Sequence, residues 1–219
     1  MSRQREVQDH YFRLARKAGY VARSAYKLIE IQEKHGLIRP GDRVLDLGYY
    51  PGAWLQVACQ AIGPMKHGGC VVGVDLQPKP SARPRFCDDR VLAIEADVFA
   101  LTAPDLLGTA DHEADGGQPS PPLFDVVLSD MMEATTGHKP TDHLRSVALA
   151  RRVLDLLPEV LAPGGNLAVK VFDGEQYRSF LDECKAVCAS VKSFKPKASR
   201  AVSSEMYVVG KGYAPRRGR

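Results

Sequence analysis

The sequence lacks several features that would place it in other classes of protein. Its 219 residues contain no apolar run of transmembrane length and no signal-peptide pattern. The G-x-G-x-x-G fingerprint of dinucleotide binding is also missing, which disfavours a nicotinamide oxidoreductase. A content of 44% apolar and 26% charged residues is ordinary for a soluble globular protein. We therefore expect one domain, residues 1–219, around a large core.

A disulfide framework is missing as well. The five cysteines are an odd number at scattered positions, which indicates a reducing, intracellular compartment without distinguishing cytoplasm from an organelle matrix. Cys184 and Cys188 lie one helical turn apart and could form half of a metal site. Because no matching Cys or His pair exists elsewhere, core packing is the better interpretation, and we predict no metal.

Negatively charged residues are outnumbered at the two ends of the chain. Residues 1–43 hold ten Lys/Arg against five Asp/Glu, and residues 185–219 hold nine against one. The middle, residues 44–184, holds eleven against twenty. Two basic ends around an acidic centre favour a polyanionic partner. The alternative is a solvated surface with a disordered tail.

A glycine turn at residues 44–54 is the stretch around which the chain is organised. Val44, Leu45 and Leu47 predict a buried strand, and Gly48 and Gly52 permit backbone conformations that a Cβ would block. Such a strand-to-helix turn presents backbone N–H groups to a nucleotide-like cofactor. The G-x-x-x-G spacing alone is a weak signal, and an ordinary structural turn is the alternative.

Strands alternate with helices along the chain, which predicts an α/β fold with a mostly parallel sheet. We predict helices at 4–18, 25–34, 53–62, 142–161 and 175–188, and strands at 44–47, 70–76, 90–96, 124–128, 166–172, 191–195 and 205–210. Pro158 is expected to kink or split the fourth helix. Residues 108–122 are predicted to be a loop insertion, residues 1–36 to be basic helices and residues 214–219 to be a basic tail.

Several chemically informative residues fall at one edge of the predicted sheet. Gly48, Asp75, Asp97 and Asp130 each close a strand, and the carboxyl ends of parallel strands share one rim, where ligands bind. Lys170 lies inside a buried strand, where a lysine is costly unless it is paired or used. Lys27 lies on an apolar helix face, where it either extends to solvent or points into a site.

Five segments of the chain together resemble a known family. They are Arg23-Ser24-Ala25-Tyr26-Lys27-Leu28, Asp46-Leu47-Gly48 with Pro51-Gly52-Ala53-Trp54, Leu128-Ser129-Asp130-Met131, Pro163-Gly164-Gly165 with Val169-Lys170-Val171-Phe172, and Lys195-Pro196 with Ser199-Arg200 and Ser203-Ser204-Glu205-Met206-Tyr207. In this order they are similar to the RrmJ/FtsJ family of S-adenosylmethionine-dependent RNA 2′-O-methyltransferases. The resemblance runs from about Tyr11 to Tyr213.

The resemblance implies a Rossmann-like class I methyltransferase fold, with a seven-stranded, mostly parallel sheet and helices on both faces. It implies a catalytic set of Lys27, Asp130, Lys170 and Glu205. The residues implied for S-adenosylmethionine are Gly48, Tyr50, Pro51, Gly52, Trp54, Asp75 at the ribose, Asp97 beside the adenine, and Asp130. It also implies a monomer, no membrane, and RNA as partner. Ribosomal RNA is the main association of short members, although tRNA and mRNA-cap relatives exist.

The chain departs from the family pattern in two places. Tyr49 and Tyr50 stand where two small residues are usual, and their rings would stack beside the cofactor, point away or fill the site. The loop after Asp130 reads Met131-Met132-Glu133-Ala134 where the family has Met-Ala-Pro-Asn. Two roles for Lys170 are open, as a base or as an orienting cation. The alternative function is a non-catalytic RNA-binding factor in ribosome assembly.

Overall fold

The computed structural model describes residues 3–77, 88–107, 123–199 and 203–214, and only the backbone of residues 3–9. The loop insertion predicted at 108–122 lies outside these ranges. So do Arg200 and all of the predicted tail except Ala214.

The described residues form helices and strands in alternation. The helices are α1 (Arg3–Ala18), α2 (Ala25–His35), α3 (Ala53–Ala61), α4 (Ala103–Leu107), α5 (Lys139–Val160) and α6 (Tyr177–Lys185). The strands are β1 (Arg43–Leu47), β2 (Cys70–Asp75), β3 (Val91–Glu95), β4 (Phe124–Ser129), β5 (Leu161–Phe172), β6 (Cys188–Phe194) and β7 (Glu205–Tyr213). A short 3₁₀ turn spans Met65–His67.

The seven strands form one sheet in the order β3-β2-β1-β4-β5-β7-β6. Strands β1 to β5 pair in parallel, whereas β7 is antiparallel to both β5 and β6. The predicted mostly parallel sheet is therefore confirmed. Because β7 runs against β5, it begins at the edge where β5 ends, and Glu205 pairs with Phe172.

Helices cover the sheet on both faces, as predicted. One buried cluster joins α2 and α3 to residues such as Val44, Leu128 and Ala168. The other joins α4, α5 and α6 to residues such as Leu45 and Val169. Side chains alternate between the faces of a strand, so Asp46, Asp130, Lys170, Glu205 and Tyr207 all belong to the face that α2 and α3 cover.

Helix α5 differs from its prediction. It begins three residues before Asp142, and Pro158 does not split it, since the helix continues to Val160. Pro158 removes one backbone hydrogen bond near the helix end, where buried neighbours such as Leu157 hold the last turn. Leu144, expected in the apolar face, is 51% exposed, whereas the polar residues His143 and Ser146 are buried.

Other elements also differ in detail from their predictions. Helix α4 lies in a segment that shows no periodicity in sequence. The predicted turn at residues 163–165 lies within β5, at an irregularity in its pairing with β4. Between the pairs Phe124–Leu161 and Val126–Asn166, the register moves two residues along β4 and five along β5. Helix α6 ends at Lys185, so Cys188 starts a strand. Cys184 and Cys188 pack in the core, as predicted, and burial raises the pKa of their thiols to about 12 and about 11.

Neither a membrane span nor a metal cluster occurs within the part of the chain that the structure describes. None of the helices in the described ranges has the length and apolar character that crossing a membrane requires. The same ranges hold no group of three or more His, Cys, Asp or Glu placed to bind a metal ion.

Tyr49 is a buried part of the core. Its side chain is 2% exposed, and its ring packs against Gly73, where an added Cβ would lie 3.0 Å from two ring atoms. The hydroxyl has no hydrogen-bond partner among the described residues. An unpaired buried hydroxyl costs free energy, so the ring stabilises the core while the oxygen does not.

We therefore predict that Tyr49→Phe raises the free energy of unfolding by about 1 kcal/mol, because it removes only the unpaired hydroxyl. Tyr49→Ala should lower it by roughly 3 kcal/mol, because it leaves a cavity. Urea denaturation of the three proteins measures both changes. A loss of stability in Tyr49→Phe would show that the hydroxyl is paired.

Candidate active site

Five polar side chains form a continuous chain of contacts at the carboxyl edge of the sheet. Lys27 Nζ lies 2.5 Å from Glu205 Oε1. The Tyr207 hydroxyl lies 3.0 Å from the same Glu205 oxygen and 2.7 Å from Asp130 Oδ1. Lys170 Nζ lies 3.0 Å from Asp130 Oδ1 and also donates to the Asp130 carbonyl oxygen at 2.5 Å. We call these five residues the ionic chain.

The sheet topology brings the ionic chain together from four distant segments. Lys27 comes from α2, Asp130 follows β4, and Lys170 lies two residues before the end of β5. Glu205 and Tyr207 lie on the same face of β7, and Tyr207 pairs with Lys170 in the register. All four residues of the predicted catalytic set therefore meet in space, although they span 178 positions between Lys27 and Glu205.

Burial makes the electrostatics of the ionic chain strong. Lys170 is 5% exposed, Glu205 7% and Tyr207 not at all. Burial raises the pKa of Asp130, but the charges of Lys170 and Lys27 and the hydrogen bond from Tyr207 outweigh it, so the pKa lies below its usual value. Burial, with the nearby charges of Asp130 and Glu205, raises the pKa of Tyr207 well above its usual value.

Trp54 supports the ionic chain from the side of α3. Its ring lies 5.7 Å from the Tyr207 ring, centroid to centroid, with 33° between the planes. Its indole N–H donates to the Ser24 carbonyl oxygen at 2.9 Å, one residue before α2 begins. Trp54 therefore ties α3 to the start of the helix that carries Lys27.

A cavity of about 280 Å³ opens at the same edge of the sheet, close to the lower end of the roughly 300–1,000 Å³ typical of small-molecule sites. Gly48, Asp75 and Asp97 are among its lining residues, so the structure brings these three predicted cofactor residues together. The remaining lining residues are Leu47, Val74, Leu76, Ala96, Val98, Phe99, Met131, Met132, Glu133 and Leu149. The lining is mostly apolar with a few carboxylates.

The glycine turn connects the cavity to the ionic chain. Gly48 has φ +84°, and a Cβ there would lie 2.7–2.8 Å from atoms of Met131, the residue after Asp130. Gly52, at the N-cap of α3, has φ +109°. The Asp75 carboxylate accepts hydrogen bonds from the backbone N–H groups of Tyr50 and Gln77, both at 2.9 Å. Only glycine fits at position 48 without moving the loop beside Asp130.

The other predicted cofactor residues lie elsewhere. Tyr50, Pro51, Gly52 and Trp54 do not line the cavity. Tyr50 is 51% exposed, with its backbone N–H on Asp75, whereas Trp54 is buried in the core. Tyr49, also in the core, does not line the cavity either. The two unusual tyrosines therefore leave this cavity open.

The chain matches known methyltransferases over most of its length. The family described as FtsJ-like methyltransferase matches residues 20–213. A relative from Paramagnetospirillum magneticum, named ribosomal RNA large subunit methyltransferase E, is 41% identical over 215 residues, covering 96% of this chain and 81% of the relative. A relative of the same name from Desulfosudis oleivorans is 41% identical, covering 94% and 91%.

A solved crystal structure from Plasmodium falciparum shares the fold. It has a TM-score of 0.73 at 24% sequence identity, and the match covers 90% of this chain and 100% of that one. The sheet and the cavity at its carboxyl edge place the protein in the class of Rossmann-like α/β proteins, which bind ligands at that edge. Within that class, the chain belongs to the FtsJ-like methyltransferase family.

Two residues of the site carry no predicted role. Tyr207 joins the two carboxylates of the ionic chain, and its position two residues after Glu205 on a strand was the available signal. Asp46 is fully buried in β1, and neither carboxylate oxygen has a partner among the described residues. Burial first, then the charges of Asp130 and Asp75, raises its pKa well above the usual value. The sequence feature that could have identified Asp46 as a site residue was an acidic side chain within an otherwise apolar strand.

Asp46 should make stability depend on pH. Because its pKa is raised in the folded chain, the folded protein keeps a proton that the unfolded chain has lost, and its contribution to stability falls as the pH rises above about 4. We predict that Asp46→Asn, which cannot ionise, raises Tm relative to the unmodified chain at pH 7 and that this gain disappears towards pH 4. Thermal denaturation between pH 4 and pH 8 measures it.

The matched control is Asp182→Asn. Asp182 is an acid on the surface whose pKa is lowered by a hydrogen bond from Lys185. This substitution should bring no gain in Tm at neutral pH. A gain for Asp46→Asn that is the same at every pH would contradict the raised pKa.

Proposed function

We propose that the protein transfers a methyl group from S-adenosylmethionine to a ribose 2′-hydroxyl of ribosomal RNA. The observation that carries the proposal is the ionic chain beside a cavity, with two lysine–carboxylate pairs whose side chains are at most 16% exposed. The relatives named ribosomal RNA large subunit methyltransferase E support ribosomal RNA as the substrate.

The cavity residues fit S-adenosylmethionine, which supplies a methyl group on a sulfonium when bound. Gly48 lets the turn lie directly against Met131, where a Cβ would come within 2.7–2.8 Å of Met131 atoms, and both residues line the cavity. Asp75 provides a carboxylate, held in place by two backbone N–H groups, that suits ribose hydroxyls. One Asp97 carboxylate oxygen accepts a hydrogen bond from the Phe99 N–H. Asp97 also lines the cavity, where it would lie beside the adenine.

The remaining predicted cofactor residues act through the turn and the core. Tyr50 fixes Asp75 through its backbone N–H, and Pro51 and Gly52 connect that turn to α3. Trp54 packs against Tyr207, so its part is to hold Tyr207 in place within the ionic chain. Asp130 does not line the cavity, but Met131 directly after it does, so Asp130 connects the ionic chain to the cofactor site.

Lys170 acts on the 2′-hydroxyl as an orienting cation. An ammonium has three N–H donors, and Lys170 directs two contacts at Asp130, one to the carboxylate and one to the carbonyl oxygen. The third donor holds the 2′-oxygen and stabilises the negative charge that develops on it. The 2′-oxygen would form a bond to the methyl carbon as the carbon–sulfur bond of the sulfonium breaks and leaves a neutral thioether, and the hydroxyl proton would pass to water. Asp130 keeps the Lys170 head group in place during this step.

Lys27, Glu205 and Tyr207 hold the other end of the ionic chain. Tyr207 has a single hydroxyl proton, which lies between Asp130 and Glu205. Lys27 neutralises Glu205 at 2.5 Å. The two carboxylates thus lie between the two lysines and share the Tyr207 hydroxyl, which makes this arrangement of four charges tolerable. Every member comes from one polypeptide, so we propose that the protein acts as a monomer.

The basic ends of the chain meet near the same helix and supply an RNA surface. The Glu30 carboxylate in α2 accepts hydrogen bonds from the backbone N–H groups of Lys197 and Ala198, at 2.7 and 2.9 Å, and from the Tyr11 hydroxyl of α1 at 3.4 Å. The exposed basic side chains of the two segments that this contact joins are Arg13, Arg16, Lys17, Lys195 and Lys197. Phosphates of RNA bind such a surface in a salt-dependent way. Because RNA is found inside cells, we propose that the protein acts in an intracellular compartment.

The proposal predicts that Lys170→Ala lowers kcat by about 10²–10³-fold, the usual loss when one donor to a developing oxyanion is removed. The assay incubates large-subunit ribosomal RNA, free and in ribosomal particles, with labelled S-adenosylmethionine and measures 2′-O-methylnucleosides by mass spectrometry. Calorimetric titration should show unchanged S-adenosylmethionine affinity in the variant. Lys185→Ala, at the far end of α6, is the control and should keep full activity.

An opposite outcome would favour the assembly-factor function. If the unmodified chain binds ribosomal RNA but methylates neither the free RNA nor the particles, the proposal is contradicted. Full activity in Lys170→Ala would instead remove Lys170 from the catalytic set.

A further inference from the structure

Two buried polar residues of α5 bind the backbone at the end of β5. The Ser146 hydroxyl accepts a hydrogen bond from the Phe172 N–H at 2.9 Å and donates to the His143 carbonyl oxygen at 2.7 Å. His143 Nδ1 lies 2.8 Å from the Phe172 carbonyl oxygen. Both side chains are at most 5% exposed. We call His143 and Ser146 the Phe172 clamp.

The clamp takes the place of a missing strand. Strand β4 ends at Ser129, which pairs with Val169. Beyond that point the edge of β5 that faces β4 has no strand to bond with among the described residues, yet Phe172 is buried. An unpaired buried backbone group is costly. Ser146 and His143 satisfy the N–H and the carbonyl of Phe172, and so extend the ordered part of β5 past Lys170.

The contacts define the state of His143. A carbonyl oxygen only accepts, so Nδ1 must carry a proton and donate to Phe172. The Gln176 N–H only donates, so Nε2, at 2.9 Å, must accept. His143 is thus a neutral imidazole with its proton on Nδ1. The ring is enclosed on the other side by Gly174, where a Cβ would lie 2.6 Å from ring atoms.

The clamped residue controls the position of two members of the ionic chain. Lys170 lies two residues before Phe172 on the same strand, and Glu205 pairs with Phe172 across the sheet. The next residue, Asp173, donates its N–H to the Ser204 carbonyl oxygen at 2.6 Å. A shift of Phe172 would therefore disturb the positions of both Lys170 and Glu205.

We propose that His143 and Ser146 are positioning residues for the methyl transfer, because they hold the end of β5 at the place where Lys170 and Glu205 complete the ionic chain. This inference rests on the proposed function. A misplacement of about 1 Å in a catalytic group can lower a rate about 10²-fold, so the clamp should act on kcat and leave substrate binding nearly unchanged.

Two substitutions of His143 separate its two hydrogen bonds. His143→Asn places an N–H near the position of Nδ1 and keeps the bond to Phe172, whereas His143→Gln places an oxygen near Nε2 and keeps only the bond to Gln176. We expect His143→Gln and Ser146→Ala to lower kcat about ten- to hundredfold, and His143→Asn and Ser146→Thr to stay within about threefold of the unmodified chain. KM for RNA and for S-adenosylmethionine should change little in all four.

The control for a purely structural effect is Val153→Ala, a fully buried position on the same helix. All variants are assayed at a temperature well below their Tm, and hydrogen exchange of segments 168–173 and 203–208 is measured in parallel. Val153→Ala should lose stability and keep kcat. Faster exchange in both segments should accompany only His143→Gln and Ser146→Ala.

The outcomes distinguish the two proposals. If the unmodified chain is active and His143→Gln, His143→Asn and Val153→Ala all keep its kcat, the positioning role alone is overturned. An equal loss of kcat in all three would also overturn it, since the loss would then follow stability. An unmodified chain that methylates no ribosomal RNA would overturn the proposed function, and the positioning role with it.

Discussion

The ion pair between Lys170 and Asp130 is the interaction on which the rest of the site depends. Lys170 is buried and the Asp130 side chain is only 16% exposed. In such surroundings an unpaired charge is very costly, and a pair is tolerated only with good geometry and further hydrogen bonds. The protein provides these through the Asp130 carbonyl oxygen, at 2.5 Å from Lys170, and the Tyr207 hydroxyl, at 2.7 Å from Asp130. Apolar residues would often be at least as stable in such places, so core stability alone does not account for these charges.

The antiparallel strand β7 lets this pair grow into a chain of five residues. Because β7 begins where β5 ends, Tyr207 stands opposite Lys170 and Glu205 opposite Phe172. Lys27 then reaches Glu205 from α2, and Trp54 holds Tyr207 from α3. On the other face of the sheet, α5 supports the same strand end through His143 and Ser146. Elements from both faces thus converge on the position of Lys170.

The amino-acid sequence was informative where local pattern and chemistry coincide. Apolar runs and glycine turns located the strands, and a charged side chain inside an apolar strand marked Lys170 as a candidate site residue. Partners set by register could not be predicted in the same way. The contact of Tyr207 with Asp130 depends on which strands are neighbours, and the burial of His143 depends on where β4 stops. Pro158 misled because proline near a helix end costs only one hydrogen bond.

The most direct test of the account is a map of ribose methylation in total RNA from cells with and without this protein. If the ionic chain serves methyl transfer to ribosomal RNA, discrete ribose positions in large-subunit ribosomal RNA should lose their methyl groups when the protein is absent and regain them when it is restored. An identical methylation map in both cells would contradict the account.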